Sequence, residues 1–485
     1  MATITSLGVG TNGLDTQSLV DKLVANEQVP LTQLNTLTTG IKTQLSAFGQ
    51  VQSSLSALQD AARKLVDPST WSATTASSSD PTSVSVTAGD GAAVGNINVQ
   101  VNQLATSQAI ASSVQTSSSA TLGSGSMTIE LGTWSADKSS FTSKDGATPV
   151  TINIAPGQDT LAQIRDQINA AGAGVVASIV TDSSGARLVM RSTDTGEANG
   201  FKVSVQDADG NSGDATGLSA LAYDPSLSVA SASLTQSAAN AQAVLNGLTI
   251  NSASNVLTQA MDGLTITLLK PTTTGGVSLG VSQDTTGIKT AITNFATAYN
   301  ATNALLRDQT KYDASTKTAG TLQGDSTAVG LTYSLRNLIS GTSTLGGSAM
   351  SRLADIGLDP QADGSLSVDD SKLSNALSDT TNLKQMFMGL DTASPGNSGF
   401  AQQMNTFTTQ MLGVDGGLAT KEAGLQSRID QNGKSADALQ AHIDQVQKRL
   451  TAQYSALDTQ MSQLNSLSTY VSQQMTMLNA SAAAS

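Results

Sequence analysis

The chain has 485 residues, 24 basic and 37 acidic side chains, a net charge of −13, one histidine and no cysteine. The acidic balance argues against nucleic-acid partners and anionic membrane surfaces, which both select basic faces. Without cysteine there are no disulfides and no Cys-ligated zinc, and a lone histidine argues against His-based metal clusters and Ser-His-Asp catalysis. No segment resembles a membrane span or a secretory signal, and the length predicts roughly three or four domains.

The N-terminal region predicts helices after a small, glycine-rich start over residues 1–13. Asp15 or Thr16 is placed to cap an amphipathic stretch that Pro30 interrupts. Beyond that break the apolar residues follow heptad spacing until Asp67-Pro68, a sequence that disfavours further helix. The apolar positions of both stretches are Leu19, Val20, Leu23, Val24, Leu34, Ile41, Leu45, Phe48, Val51, Leu55, Leu58, Ala62 and Leu65.

Two β regions are predicted on either side of a central module. Residues 83–86 and 96–101 alternate with period two across a glycine-rich connection, and the Ser/Thr-rich tract 105–126 indicates a long edge or linker. After residue 237 the dipeptide Asn246-Gly247 favours a hairpin turn. Two further alternating runs, at residues 264–269 and 277–281, complete the second β region.

The module between them, residues 127–205, predicts a compact α+β arrangement. Its strands alternate in period two, and they flank one short helix whose apolar face is Leu161, Ile164 and Ile168. Asp159 is a suitable N-cap for that helix, and Gly172 is expected to end it.

From Thr286 onwards the sequence predicts helices again, including one from Phe400 to Leu412, before Gly416-Gly417 breaks the pattern. The last stretch then alternates spacings of three and four residues without interruption, which is typical of helices that pack on other helices. Its seam positions are Ile429, Asn432, Ala436, Leu439, Ile443, Val446, Leu450, Gln453, Leu457, Gln460, Leu464, Leu467, Val471, Gln474 and Leu478.

The predicted fold class is therefore α+β multidomain, with terminal α-helical coiled-coil legs and nested β-rich head domains at the tip. Four domains are expected, and all but one are built from two separated segments. They are a terminal coiled coil that is flexible when unassembled (1–40 and 425–485), a helical leg (41–75 and 285–424), an inner β head (76–118 and 232–284) and an outer α+β head (119–231).

Several motifs that suggest chemistry fail their context tests. Residues 8–13 match the dinucleotide pattern GxGxxG but have no βαβ unit around them. Residues 207–214 have the oxygen density of a calcium loop, yet the EF-hand positions for Gly and Glu fall on Ser212 and Leu218, so at most weak calcium binding is expected. Nothing singles out a carboxylate pair for glycosidase chemistry, and His442 lies among the heptads with no predicted partner. The sequence predicts no enzyme and no cofactor.

The terminal heptads allow two interpretations. They could form a private intramolecular helix pair, or they could be an interface completed by other chains. Polar seam residues such as Asn432 and Gln460 lower the stability of a private pair and favour the second interpretation. The predicted interaction residues are Leu19, Leu23, Leu34, Ile41, Leu45, Phe48, Leu55, Leu439, Ile443, Val446, Leu450, Leu457, Leu464, Val471 and Leu478.

Several segments, in this order, resemble a known family. Residues 13–34 (GLDTQSLVDKLVANEQVPLTQL) resemble the N-terminal signature of the flagellar filament cap proteins, the hook-associated protein 2 family. Residues 83–105 are similar to the first head-domain hairpin of that family, and residues 150–190 to a module that recurs in flagellin and hook proteins. Residues 292–306 and 356–377 match the C-terminal half of the family.

The resemblance implies a homo-oligomeric ring, a pentamer or hexamer, at the distal tip of the bacterial flagellum. It implies that the ring prevents flagellin loss and promotes flagellin folding and insertion. The implied partners are further copies of the chain, flagellin, hook–filament junction proteins and a flagellar export chaperone. It also implies an extracellular location reached through the flagellar secretion apparatus without a cleaved signal peptide.

Two alternatives stay open at this point. The first is another axial component, such as a hook–filament junction protein, which is expected to integrate permanently and to need no gating leg. An adhesin is the alternative from a different class, and it is expected to bind host glycans or mucin through residues 119–231.

Overall fold

The computed structural model describes residues 15–212, 214–227, 229–272 and 275–482. Helices occupy both ends of this described chain, and strands fill most of the middle. The α-helices are α1 (Thr16–Glu27), α2 (Val29–Val66), α3 (Pro68–Ser72), α4 (Leu161–Ala170), α5 (Thr285–Thr310), α6 (Ser326–Ser340), α7 (Asp370–Ala376), α8 (Thr380–Met388), α9 (Phe400–Leu412) and α10 (Gly417–Ala482).

The strands pair antiparallel throughout the described sheets. They are β1 (Thr74–Ser78), β2 (Val84–Ala88), β3 (Gly95–Gln103), β4 (Ala109–Ala111), β5 (Gly125–Trp134), β6 (Phe141–Ser143), β7 (Val150–Ile154), β8 (Val175–Asp182), β9 (Gly185–Ser192), β10 (Gly200–Asp207), β11 (Tyr223–Asp224), β12 (Val229–Ala230), β13 (Ser233–Gln236), β14 (Ala241–Leu245), β15 (Leu248–Ser252), β16 (Val256–Met261), β17 (Leu264–Leu268), β18 (Val277–Gln283), β19 (Tyr312–Asp313), β20 (Thr318–Ala319), β21 (Leu358–Pro360) and β22 (Leu366–Val368).

The contacts divide the chain into two units, which we call the helical unit and the β unit. The helical unit contains the described residues up to 70 and from 285 onwards. The β unit contains the described residues from 71 to 284.

One core of the β unit lies between a five-stranded sheet, in the order β1-β18-β3-β14-β15, and a three-stranded sheet, in the order β16-β17-β2. The turn at Asn246-Gly247 joins β14 to β15, as predicted, with φ of 47° and 88° at the two residues. The expected hairpin between β2 and β3 is wrong. β2 pairs with β17 and β3 with β14 and β18, because both strands bury valines such as Val84 and Val99 in one core from different sheets.

The second core of the β unit contains α4, the four-stranded sheet in the order β13-β4-β9-β8, and the sheet built on β5 and β10. Leu161, Ile164 and Ile168 are buried in it, as the helical spacing predicts. Thr160 and not Asp159 caps α4, because Thr160 and Gln163 bond reciprocally in a capping box. Trp134 is buried here, and its Nε1 donates to the Phe201 carbonyl at 3.1 Å.

The helical unit is organised around α2, which buries one face against α5, α9 and α10. The buried residues of α2 repeat at the predicted heptad spacing and so form one continuous apolar face. The three neighbouring helices pack on this face. They are Ile41, Ala47, Phe48, Val51, Leu55, Leu58, Ala62 and Leu65.

The β21–β22 hairpin is fastened to α5 by polar side chains. Tyr299 is fully buried and its Oη donates to the Gly364 carbonyl at 2.9 Å, and burial raises the pKa of Tyr299 to about 12. Asn300 donates to the Leu366 carbonyl and accepts from the Leu366 amide, both at 2.7 Å. Arg307 pairs with Asp363 at 2.8 Å. The hairpin is thus held by hydrogen bonds to its backbone and by the burial of Leu358 and Leu366.

Candidate assembly surface

At the start of the described chain, α1 packs on the middle of α10. Asp15 accepts a bond from the Ser18 amide at 3.0 Å and so caps α1, while Pro30 lies in the first turn of α2. Val20, Val24 and Ile443 are 2%, 6% and 1% exposed. The residues half-buried against this cluster are Leu31, Leu439, Leu450 and Tyr454.

A second, more polar seam joins α2 to α10. The Asn432 amide donates to the Thr38 hydroxyl at 3.1 Å, so one of the polar heptad positions has a partner within the chain. Each member of this pair has a glycine close to it in sequence. Gly40 lies two residues after Thr38 in α2, and Gly433 directly follows Asn432 in α10. A Cβ at either glycine meets nothing within 4 Å, so close helix packing does not require them. The seam therefore includes a polar contact, and each of its two helices carries a glycine, which has low helix propensity.

The start of α10 is fixed more firmly. Lys421 Nζ lies 2.6 Å from Asp325 Oδ2 and 5.7 Å from the centre of the Phe48 ring. Asp325 also caps α6, since its carboxylate accepts from the amides of Thr327 and Ala328. Leu418 and Leu425 are buried beside this ion pair. The packing of α10 thus weakens from its first turns towards its end.

Beyond Tyr454 the apolar face of α10 has no cover within the described residues. We call this face the exposed stripe, and its members are 39% to 61% exposed. With a rise of about 1.5 Å per residue, the helix continues for roughly 40 Å past Tyr454. Asp458 is the one charged residue among 455–482. The exposed stripe consists of Leu457, Met461, Leu464, Val471, Met475 and Leu478.

The fifteen predicted interaction residues fall into three groups by burial in this single chain. Five are buried: Ile41, Phe48, Leu55, Ile443 and Val446. Four are half-buried: Leu34, Leu45, Leu439 and Leu450. Six are exposed: Leu19, Leu23, Leu457, Leu464, Val471 and Leu478. Only the exposed residues, with part of the half-buried ones, are available to another chain without opening the fold.

Sequence reasoning placed Leu19 and Leu23 on the interacting face of α1, but the packed face carries Val20 and Val24. All four residues have helical spacing, so periodicity alone cannot choose between the two pairs. The structure therefore separates α1 into one face that contacts α10 and another that stays open.

The remaining motifs are the 207–214 segment, His442 and residues 8–13. Carboxylates of the 207–214 segment serve as turn acceptors: Asp207 accepts from the Ser219 amide and Asp209 from the Asn211 amide. Over the described ranges, no group of three His, Cys, Asp or Glu side chains could hold a metal ion. His442 is exposed on α10, and residues 8–13 lie outside the described residues. No helix in the described part of the chain is both long and apolar enough to cross a bilayer.

Three family models match the chain. The model described as "Flagellar hook-associated protein 2 C-terminus" matches residues 238–466, and its N-terminal counterpart matches residues 12–108. The model described as "Flagellin hook IN motif" matches residues 140–194, which contain β6, β7, α4, β8 and β9.

Curated relatives and solved structures agree with these matches. The chain is 33% identical over 438 residues to the B-type flagellar hook-associated protein 2 of Pseudomonas aeruginosa, covering 87% of each chain. It is 32% identical over 390 residues to the flagellar hook-associated protein 2 of Escherichia coli, covering 78% of each. The crystal structure of the D1-D2-D3 domains of the Escherichia coli flagellar cap protein FliD matches with a TM-score of 0.59 at 29% identity, over 78% of this chain and 99% of that one.

These matches confirm the predicted α+β class and favour a flagellar cap protein over the junction-protein and adhesin alternatives. The resemblance seen in the sequence is confirmed, and this chain belongs to the flagellar hook-associated protein 2 family.

Proposed function

We propose that this flagellar cap protein is an assembly factor that acts as a homo-oligomeric ring at the distal tip of the filament. The observation that supports the proposal is the exposed stripe on α10. Complete burial of one such side chain is worth about 1.5–3 kcal/mol, and these six are 39% to 61% exposed, so a partner chain that covers the remaining apolar area is favoured. The occupants of this surface are sister copies of the chain and flagellin subunits in the filament.

The proposed mechanism is steric and templating, with no bond chemistry. The ring prevents newly exported flagellin from being lost and holds it where it folds and inserts. A cap that moves as subunits are added needs contacts that break repeatedly. The nearly uncharged 455–482 segment suits this requirement, because apolar and amide contacts carry no ion pairs that must be desolvated again at each step.

The remaining expectations belong to the same proposal. The partners are a ring of five or six copies, flagellin, the hook–filament junction proteins and an export chaperone, and host glycans or mucin are at most an additional ligand. Export proceeds through the flagellar secretion apparatus. The four-domain division, with boundaries near residues 40, 75, 118, 231, 284 and 424, is the working scheme for fragments.

The test uses complementation of a deletion strain with paired α10 variants. Leu464→Asp with Val471→Asp places two charges on the exposed stripe. Ser466→Asp with Gln473→Asp places the same charges seven residues apart on the opposite face of the helix. We expect the stripe variant to leave cells without filaments and to release monomeric flagellin into the medium, as measured by electron microscopy and immunoblotting.

The matched control is expected to restore filaments and swimming. Both variants should show parental helix content, because their substituted side chains are exposed in the single chain. Normal filaments with the stripe variant would refute the assignment of this surface. Removal of residues 455–485 should reproduce the stripe phenotype, and circular dichroism should show that the remaining fold is retained.

A further inference from the structure

Strand β8 forms one edge of the four-stranded sheet in the β unit. It is eight residues long and pairs with β9 in unbroken register from Val175 to Asp182. The exposed valines Val176 and Val180 are on this strand, and it has no proline, bulge or charged residue before Asp182. Long, regular edges of this kind are templates for pairing with another strand.

The register shows which backbone groups of β8 point away from the sheet. The Thr193 amide donates to the Gly174 carbonyl, so the even-numbered residues from 174 onwards face β9. The outward groups therefore belong to Val175, Ala177, Ile179 and Thr181. An added strand must bond to each of these outward residues in turn, and Ala177 lies inside that series.

Asn169, in the last turn of α4, occupies both outward groups of Ala177. Its Oδ1 accepts from the Ala177 amide at 2.7 Å, and its Nδ2 donates to the Ala177 carbonyl at 2.9 Å. The side-chain amide thus makes the two hydrogen bonds that a residue of a neighbouring strand makes. In the described chain, the outward groups of Ile179 and Thr181 have no such partner.

The same two-bond arrangement occurs at three other places. Gln108 holds both backbone groups of Phe201, Asn255 those of Ala105, and Asn300 those of Leu366. Each of these three contacts joins two different parts of its own unit. Asn300 also binds an edge strand, but β22 is only three residues long, whereas Asn169 binds the eight-residue edge strand β8.

We infer that Asn169 blocks the β8 edge and prevents it from pairing with the β8 edge of a second copy of this chain. Two antiparallel copies of β8 would place Val176, Ser178 and Val180 of each chain on a continuous surface. Asn169 interrupts that pairing at its centre, at the cost of one polar residue on α4. Such protection matters in a protein that accumulates as identical copies, because strand pairing between copies competes with productive assembly.

The first test is amide hydrogen exchange on the full-length parent chain. The Ala177 amide should exchange about tenfold more slowly than the Ile179 amide, because only the former has a hydrogen-bond partner. Equal exchange rates at Ala177 and Ile179 would show that the block is absent in solution and would overturn the inference.

The second test compares Asn169→Ala with Asn255→Ala in the full-length chain. Both variants lose one two-bond contact, but only Asn169→Ala frees the β8 edge. With rising protein concentration, Asn169→Ala should sediment as larger species and should gain exchange protection at Ile179 and Thr181. Asn255→Ala should keep the parental sedimentation profile at every concentration.

A third variant covers the case in which Asn169→Ala folds poorly. Adding Val180→Lys to Asn169→Ala places a charged side chain on the β8 edge strand of each copy, so it should restore the parental sedimentation profile. An Asn169→Ala chain that sediments as the parent does, or association that persists after Val180→Lys, would refute a role for Asn169 at this edge.

Discussion

The two ends of α10 have the same sequence pattern and opposite surroundings. Over residues 417–446 the helix is anchored by the Lys421–Asp325 pair and buries Leu418, Ile443 and Val446. Over residues 455–482 an equally regular apolar face is open to solvent. Heptad spacing thus identifies the face that will pack, but the partner is set by whatever lies opposite. The early part of α10 packs on other helices of its own chain, whereas the apolar face of the later part is uncovered in the described residues.

The most direct test of this difference is to truncate one apolar side chain in the early part of α10 and one in the later part. Ile443→Ala should weaken the packing of α1 on α10 by about 2–5 kcal/mol, because a nearly inaccessible side chain leaves a cavity. Leu464→Ala should change the stability of the single chain by less than about 0.5 kcal/mol, since its side chain is exposed. Amide exchange across α1 measures the first effect and urea unfolding measures the second.

The effects of Ile443→Ala and Leu464→Ala should rank in the opposite order when self-association is measured. Leu464→Ala is expected to lower self-association more than it lowers stability, and Leu19→Ala offers a second exposed position on α1. If Leu464→Ala destabilises the dilute chain as much as Ile443→Ala does, then the exposed stripe already packs within the chain and the contrast fails.

A smaller effect is expected at the α2–α10 seam of Thr38 and Asn432, which lies within the early part of α10. Gly40→Ala and Gly433→Ala should each stabilise the helical unit by about 0.5–1 kcal/mol, because glycine is a poor helix former and both sites have room for a methyl group. The midpoint of urea unfolding, followed by helix circular dichroism, measures the gain. Gly364→Ala is the contrasting control, because φ is 83° and Arg336 lies against that site, so destabilisation is expected there.

The smallest effect concerns acid. Hydrogen bonds from the side chain and backbone of Ser365, together with Arg307, lower the pKa of Asp363 to about 2. A carboxyl whose folded pKa is depressed contributes stability above its unfolded pKa of about 3.9, and loses it as the pH falls through the folded value. The helical unit should therefore lose stability between about pH 4 and pH 2, and Asp363→Asn should flatten that loss.

The parent chain is the reference for Asp363→Asn. Thermal unfolding at several values of pH provides the comparison. A dependence of stability on pH that Asp363→Asn leaves unchanged would contradict this assignment.

Local sequence signals predicted local structure well. Phe400 to Leu412 was expected to be a helix and is one, and the Asn246-Gly247 turn joins two strands as its preference for positive φ requires. The apolar face of α4 was also predicted correctly. In these cases a period or a turn preference within a dozen residues determines the outcome.

What the sequence could not supply depends on partners far along the chain. β2 and β3 look like a hairpin because they are adjacent in sequence, but strands β17 and β18, some 180 residues later, separate them into two sheets. The backbone contacts of Asn169 and Gln108 were likewise unpredictable, since Asn and Gln have the same local preferences whether or not a strand edge lies within reach. Burial along the heptads also depends on which helix lies opposite.

The burial of Trp134 has a practical consequence for spectroscopy. The chain has two tryptophans, Trp71 and Trp134, and both lie buried in the β unit. Indole fluorescence therefore follows mainly the melting of the β unit, whereas the ellipticity at helical wavelengths follows mainly the helical unit. One intact sample, observed with both probes, can show whether the two units melt together or separately, because coincident transitions are the mark of a single cooperative step.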